Sequence, residues 1–225
     1  MFEPYIKPHG IGNLRFFYAN EEARAWYDPL KPYTLLEYEW IRENVDFWHQ
    51  IVIDAGVHHG NYAVVFYDAG FIFGFDIVQS NIDIADVNIN LNFRGQSYPG
   101  YKLINTRLGK GNGAKKHIAL DPTIYKMDIE GSEFELMPQE IDDLPTVHTW
   151  IVEIHPHAGD PNTIAQAFAD RGFELLKVDR ERMVVRPYVL GERWLTHATL
   201  IARKTIKVIG LPDVSISKKI AGMYP

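Results

Sequence analysis

The stretch IVIDAGVHHGNYAVVF, residues 51–66, decides the fold. An apolar, β-branched run ends in Asp54; Gly56 and Gly60 then bracket adjacent histidines, and a helix-compatible segment follows. A buried strand passing through a tight turn into a helix is the repeating unit of parallel α/β sheets. Outward from it the pattern recurs. FIFGFD (71–76), KLINTRLG (102–109), IYKMDIE (124–130), TWIVEIH (149–155) and FELLKVD (173–179) read as strands, with helices expected through 61–69, 80–92, 132–137 and 162–171. WLTHATLIARK (194–204) reads as a last, reversed strand. The expected fold is therefore α/β: a doubly wound, Rossmann-like, seven-stranded sheet, mostly parallel with one antiparallel strand. Residues 1–48, aromatic-rich and broken by Pro29 and Pro32, read as an N-terminal cap with a helix over 34–44. Residues 49–206 form the core and 207–225 a C-terminal extension.

The bulk numbers exclude several classes. At 225 residues and 46% apolar content the chain supports one well-buried domain with a modest extension. Its net charge is −6, with Lys and Arg scattered, so no electrostatic footprint for nucleic acid is visible. The absence of cysteine removes disulfides, thiolate metal sites and a cysteine nucleophile. No window approaches a membrane-spanning run, and Pro and Gly interrupt the N-terminus where a signal peptide needs an unbroken apolar stretch. The expectation is a cytoplasmic protein with no membrane partner.

In a doubly wound sheet the ligand lies beyond the carboxyl ends of the strands, where Asp54, Gly56 and Gly60 fall. The glycines let the backbone turn sharply and approach a ligand, and the helix N-terminus adds N–H donors. The second strand ends in Asp76, a carboxylate suited to a ribose diol. Asp54 occupies the position of the first glycine in G-x-G-x-x-G and would repel a pyrophosphate. A cationic ligand with a ribose, such as S-adenosylmethionine, suits an acidic strand end better. A nicotinamide-dependent oxidoreductase and a non-catalytic binding relative stay open as alternatives. His58 and His59 suggest a metal, but neighbours in a tight turn are expected to point apart, so they read as loop contacts to the cofactor.

Four blocks resemble the FkbM-type methyltransferases, S-adenosylmethionine-dependent enzymes of the Rossmann-like class I type. They are IDAGVHHGNYAVVF, FDIVQSNIDIADVNINLN, IYKMDIEGSEFELM and WIVEIHP, all between residues 50 and 156. The resemblance implies cofactor contacts by Asp54, Gly56, His58, Gly60, Asn61, Asp76, Ile77, Asn81 and Asp128. Asp76-Ile77 departs from the Glu-Pro more usual there. Asn88 and Asn92 match further asparagine positions and are expected to anchor their helix.

Asp128, Glu130 and Glu133 gather around the end of the fourth strand, and Glu153 and His155 end the fifth on one face. Methyl transfer to a hydroxyl needs an aligned acceptor and a base. His155 is the expected base, because an unperturbed imidazole is largely neutral at pH 7, with Glu153 or Asp128 orienting it. A divalent metal on Asp128, Glu153 and His155 is an alternative, and no metal is predicted. Lys126 either neutralises the carboxylates or faces the other side of the sheet. The expected activity is O-methylation of a small-molecule or carbohydrate acceptor, with Phe16, Phe17, Tyr18, Trp26 and Tyr27 closing over it. Oligomeric state is not legible.

Overall fold

The structure is a computed structural model that describes residues 3–93, 100–194 and 196–204. The C-terminal extension expected at 207–225 lies outside the described residues. The chain opens with a hairpin, β1 (Tyr5–Pro8) and β2 (Arg15–Tyr18), followed by α1 (Glu21–Tyr27) and α2 (Pro32–Asn44). Then β3 (Ile51–Ala55), α3 (Asn61–Val65), β4 (Phe71–Asp76), α4 (Gln79–Phe93), β5 (Gly100–Asn105) and β6 (Ile124–Met127) alternate. After α5 (Glu133–Leu136) and α6 (Gln139–Asp143) come β7 (Thr149–Ile154), α7 (Pro161–Ala169), β8 (Glu174–Asp179), β9 (Val184–Pro187) and β10 (Ala198–Arg203).

The main sheet runs β5-β4-β3-β6-β7-β10-β8-β9. Its first five strands are parallel, and β10 inserts antiparallel between β7 and β8. The expected reversed strand is therefore present, but the sheet has eight strands rather than seven. The extra one, β9, pairs antiparallel with β8. It is four residues long and ends in Pro187, a composition suited to an edge and too short to stand out in the sequence.

The parallel strands are covered on both faces, which is why they read as continuous apolar runs. Ile53, Phe73, Phe75, Tyr125, Met127, Trp150 and Val152 fill one side; Val52, Ile72, Ile124 and Ile151 fill the other. α2 packs on this second side through Tyr38 and Ile41, so it is part of the core rather than a detached flap. The hairpin is tied to α4 as a strand would be. Asn88 accepts from Phe17 N at 2.6 Å, and Asn92 both accepts from Arg15 N and donates to Arg15 O at 2.8 Å. The helix-anchoring role expected of these asparagines is thus realised through β2. No described helix is long and apolar enough to cross a membrane.

Candidate active site

Strand order reverses at the β3–β6 seam, and a cleft of about 720 Å³ opens beyond the carboxyl ends of the strands there. Its floor begins at the turn after β3. Gly56 has φ 77°, and a Cβ on it would lie 1.6 Å from the Asp128 carbonyl oxygen. Glycine is required because two strand ends meet without room for a side chain. Gly60, at φ 83°, packs against Ala85 of α4, its would-be Cβ 3.1 Å from Ala85 Cα, and does not line the cleft.

Asp54, expected at the ligand, sits behind this wall. It is wholly buried and 3.2 Å from Lys126 Nζ, which also donates to Gly56 O at 3.1 Å. Lys126 lies 3.9 Å from Asp128 and over the Tyr62 ring, so it neutralises the strand-end carboxylates from within the sheet. The charge a ligand ammonium was expected to meet at Asp54 is already met by this lysine.

Asp76 lines the cleft and organises its loop. One carboxylate oxygen accepts from His58 N at 2.9 Å, the other from Val78 N at 2.8 Å and Asn81 Nδ2 at 3.2 Å. A carboxylate offers about four acceptor sites, so these three contacts leave capacity for one ligand hydroxyl. Asn61, Ile77 and Asn81 also face the cleft; Ile77 is 65% exposed and forms an apolar wall with Val78 and Leu108. Asn61 is held by His9 and Tyr38.

His58 and His59 do not point apart. Their rings stack with centroids 3.9 Å apart, and His58 Nδ1 is 2.6 Å from the Tyr27 hydroxyl. His58, at φ 47°, lines the cleft, whereas His59 is fully buried. The local left-handed backbone swings one imidazole over the other, a geometry the usual alternation of side chains does not anticipate.

The far end of the cleft holds the reactive groups. His155, just past β7, is oriented by Glu133, not by Glu153 or Asp128 as expected. Glu133 is completely buried at the start of α5; it accepts from His155 Nδ1 at 3.0 Å, from His155 N at 2.8 Å and from Gly131 N at 2.8 Å. The other imidazole nitrogen faces Glu130 at 3.4 Å and Asp128 at 3.8 Å. Burial opposes charge on His155, but the Glu133 hydrogen bond and the surrounding carboxylates outweigh it and raise its pKa to about 9. His155 is therefore not the neutral imidazole that was expected at pH 7. Burial instead raises Asp128 to about 7, against the pull of Lys126. Glu130 carries the strained backbone of the cluster, with φ 54°.

Glu153 is engaged elsewhere. It accepts from Arg180 at 2.8 Å, and Arg180 stacks over Tyr33 at 4.5 Å. At this end of the cleft, ligand atoms of Asp128, Glu130 and His155 lie within 4.8 Å of one another, so Glu130 takes the place of Glu153 in the cluster considered for a metal. Glu37 of α2 closes this end, fully buried and accepting from Tyr62 and from Thr199 at 2.8 Å; burial raises its pKa to about 8. Trp26 and Tyr27 line the cleft, whereas Phe16 and Tyr18 are buried in a separate cluster and Phe17 is bound to α4. His157 is exposed at the rim. Arg180, Glu37, Tyr33 and His197 were not anticipated. For Arg180 a signal existed, since it directly follows a strand at its carboxyl end.

Comparison with known proteins gives a consistent family. The profile described as "Methyltransferase FkbM domain" matches residues 49–175. A search of the curated proteins returns no match. Among solved structures, the chain is similar to an S-adenosylmethionine-dependent methyltransferase from Agrobacterium tumefaciens, with TM-score 0.59 and 14% identity over 90% of this chain and 70% of that one. It is also similar to an FkbM methyltransferase from Methylobacillus flagellatus, with TM-score 0.53 and 14% identity over 76% and 48%. A magnesium protoporphyrin IX methyltransferase from Synechocystis with bound S-adenosylmethionine gives TM-score 0.53 and 14% identity over 77% and 79%. At these identities the solved structures establish the shared fold.

Proposed function

This chain belongs to the FkbM methyltransferase family, and from that premise we propose that it is an S-adenosylmethionine-dependent O-methyltransferase acting on a hydroxyl of a small-molecule or carbohydrate acceptor. One observation carries the reading: a single cleft has a ribose-type carboxylate, Asp76, at one end and a titratable Asp128–His155 pair at the other. The family match removes the nicotinamide-dependent alternative.

The residues present fit the cofactor. Asp76 has acceptor capacity left for a ribose hydroxyl, the Gly56 turn keeps the floor free of side chains, and Ile77, Val78 and Leu108 offer an apolar wall to an adenine. Asn61, Asn81 and His58 complete the holding set. When bound, the group supplies an electrophilic methyl carbon on a sulfonium.

The chain's own work is to align the acceptor and take its proton. We assign the proton to the Asp128–His155 pair, which titrates with apparent values of about 7 and 9. Asp128, ionised above the lower value and held between Lys126 and the His155 imidazolium, receives the hydroxyl proton. Trp26, Tyr27 and Tyr33 line the cleft between its two ends. Calorimetric titration with S-adenosylhomocysteine, with and without magnesium, tests the cofactor; turnover on a panel of hydroxyl acceptors tests the chemistry. Absence of S-adenosylhomocysteine binding would end this reading.

Two predictions arise here. Asp76→Ala removes a charged acceptor, a contact worth about 1.5–3 kcal/mol, so S-adenosylhomocysteine affinity is expected to fall roughly 10–150-fold by calorimetry. Unchanged affinity would place the ribose elsewhere. Glu133→Gln removes the main support for charge on His155, so the upper apparent pKa should fall from about 9 toward the ordinary value near 6.5, read from the imidazole proton resonances. The sign for stability follows. His155 has its folded pKa raised, so its contribution is complete below about pH 6.5 and is lost as pH rises through about 9. Thermal stability of the wild type should therefore decline across that window, and Glu133→Gln should flatten the decline.

A further inference from the structure

Arg180 is an under-used donor in the cleft. Its side chain is only 13% exposed, yet of the N–H groups a guanidinium carries, a single one on Nη2 is engaged among the described residues, by Glu153 at 2.8 Å. Nε is buried with no partner. A guanidinium so poorly satisfied inside a protein calls for a further acceptor atom, and its Nη groups have N–H donors left to meet one. Lys31, at the start of α2, is the second such cation. It lines the same cleft, no acidic residue stands in the first turn of α2 to answer it, and its ammonium meets only the rings of Trp26 at 4.7 Å and Tyr33 at 5.9 Å among the described residues. Tyr33 links the two, because Arg180 Cζ lies 4.5 Å from the centroid of the same ring.

We propose that Arg180 and Lys31 bind a carboxylate of the methyl acceptor, so that the acceptor is a hydroxy acid rather than a neutral alcohol. This assignment rests on the methyltransferase function. The charges around Tyr33 fit a monoanion. Burial opposes charge on Glu153, but Arg180 outweighs it and holds the carboxyl below its ordinary range, so that Arg180 and Glu153 cancel. Glu37, raised to about 8 by burial, is neutral at pH 7, and burial likewise keeps His197 neutral 3.6 Å from Glu153. The other carboxylates of the cleft are held elsewhere, Glu22 facing His58 at 3.5 Å and Glu130 facing His155 at 3.4 Å. The positive charge of Lys31 is left over, and one carboxylate matches it. The flat guanidinium fork suits the plane of that group. The clamp also lies beside the proton-transfer pair, since His197, next to Glu153, has its ring stacked 6.1 Å from that of His155.

The test is calorimetry on the full chain, with and without S-adenosylhomocysteine, using pairs of hydroxyl compounds that differ only in charge: glucuronate against glucuronamide, and 4-hydroxybenzoate against 4-hydroxybenzamide. At least one acid is expected to bind roughly 10–150-fold more tightly than its amide, the range of a charge-assisted contact. Lys31→Gln, at a partly exposed position without an ion pair, and Arg180→Lys, which keeps a charge opposite Glu153 but loses the planar fork, should each weaken the acid about tenfold. The amide, S-adenosylhomocysteine affinity and the melting temperature should change little in either variant. Equal affinity for acid and amide in both pairs, no binding of any of the four, or a preference that survives in both variants would overturn the assignment, as would glucose 6-phosphate binding more tightly than glucuronate. Failure of S-adenosylhomocysteine to bind would count against the methyltransferase function itself, and the comparison of acid with amide is read separately from it.

Discussion

Asp128→Asn is expected to lower methyl-transfer turnover by about 10²–10⁴-fold while leaving S-adenosylhomocysteine affinity within about threefold. The substitution keeps shape and removes a carboxyl group that burial raises to about 7. Lys126 retains its pairing with Asp54 at 3.2 Å, so no buried charge is stranded and folding should survive. The wild-type rate should rise with pH through about 7, following Asp128. A rise centred near 9 would instead assign the base to His155, and an Asp128→Asn protein that lost affinity and turnover together would make Asp128 a cofactor ligand. The paired result is informative because a merely structural role would lower the melting temperature in step with activity.

That distinction was not available from the sequence, and the reason is physical. The parallel strands were legible because burial on both faces writes them as unbroken apolar runs bounded by glycine and acidic residues. The cleft position followed from topology. What could not be read was the environment of each titratable group. His155 looked like a neutral base only on the assumption that nothing surrounds it; three carboxylates from the segment 128–133 do. Glu133 lies 22 residues away in sequence, and no periodicity links a helix-start glutamate to a strand-end histidine. Asp54 misled in the opposite direction. Its place at a strand end suggested a ligand contact, but Lys126 on the adjacent strand, paired with Asp54 in register, claims its charge. The same holds for the cap, where Trp26 and Tyr27 reach the cleft while Phe16 and Tyr18 are consumed in packing. Aromatic content marked the segment without saying which rings faced inward.

Gly56→Ala should be the most damaging alanine substitution among the described glycines. The added Cβ would lie 1.6 Å from Asp128 O and 2.8 Å from Asp128 C, both main-chain atoms that cannot rotate away, at φ 77° where an L-residue is already strained. Either the turn after β3 or the end of β6 must move by more than an ångström. Both movements break contacts that define the site, since Gly56 and Val57 donate to Phe75 O at 2.9 and 2.8 Å and Asp128 N donates to Ala55 O at 2.9 Å. A loss above about 4 kcal/mol is expected, equivalent to roughly 8–16 °C in melting temperature for a domain of this size. Gly111→Ala supplies the control: its φ is 72°, but no atom lies within 4 Å of its would-be Cβ, so only backbone strain of about 1–2 kcal/mol remains. If the two variants melted alike, the close approach of Asp128 to the turn would be refuted. If Gly56→Ala melted far lower, the glycine would be explained by the meeting of two strand ends, and any loss of cofactor affinity it shows would follow from a displaced floor rather than from a missing ligand contact.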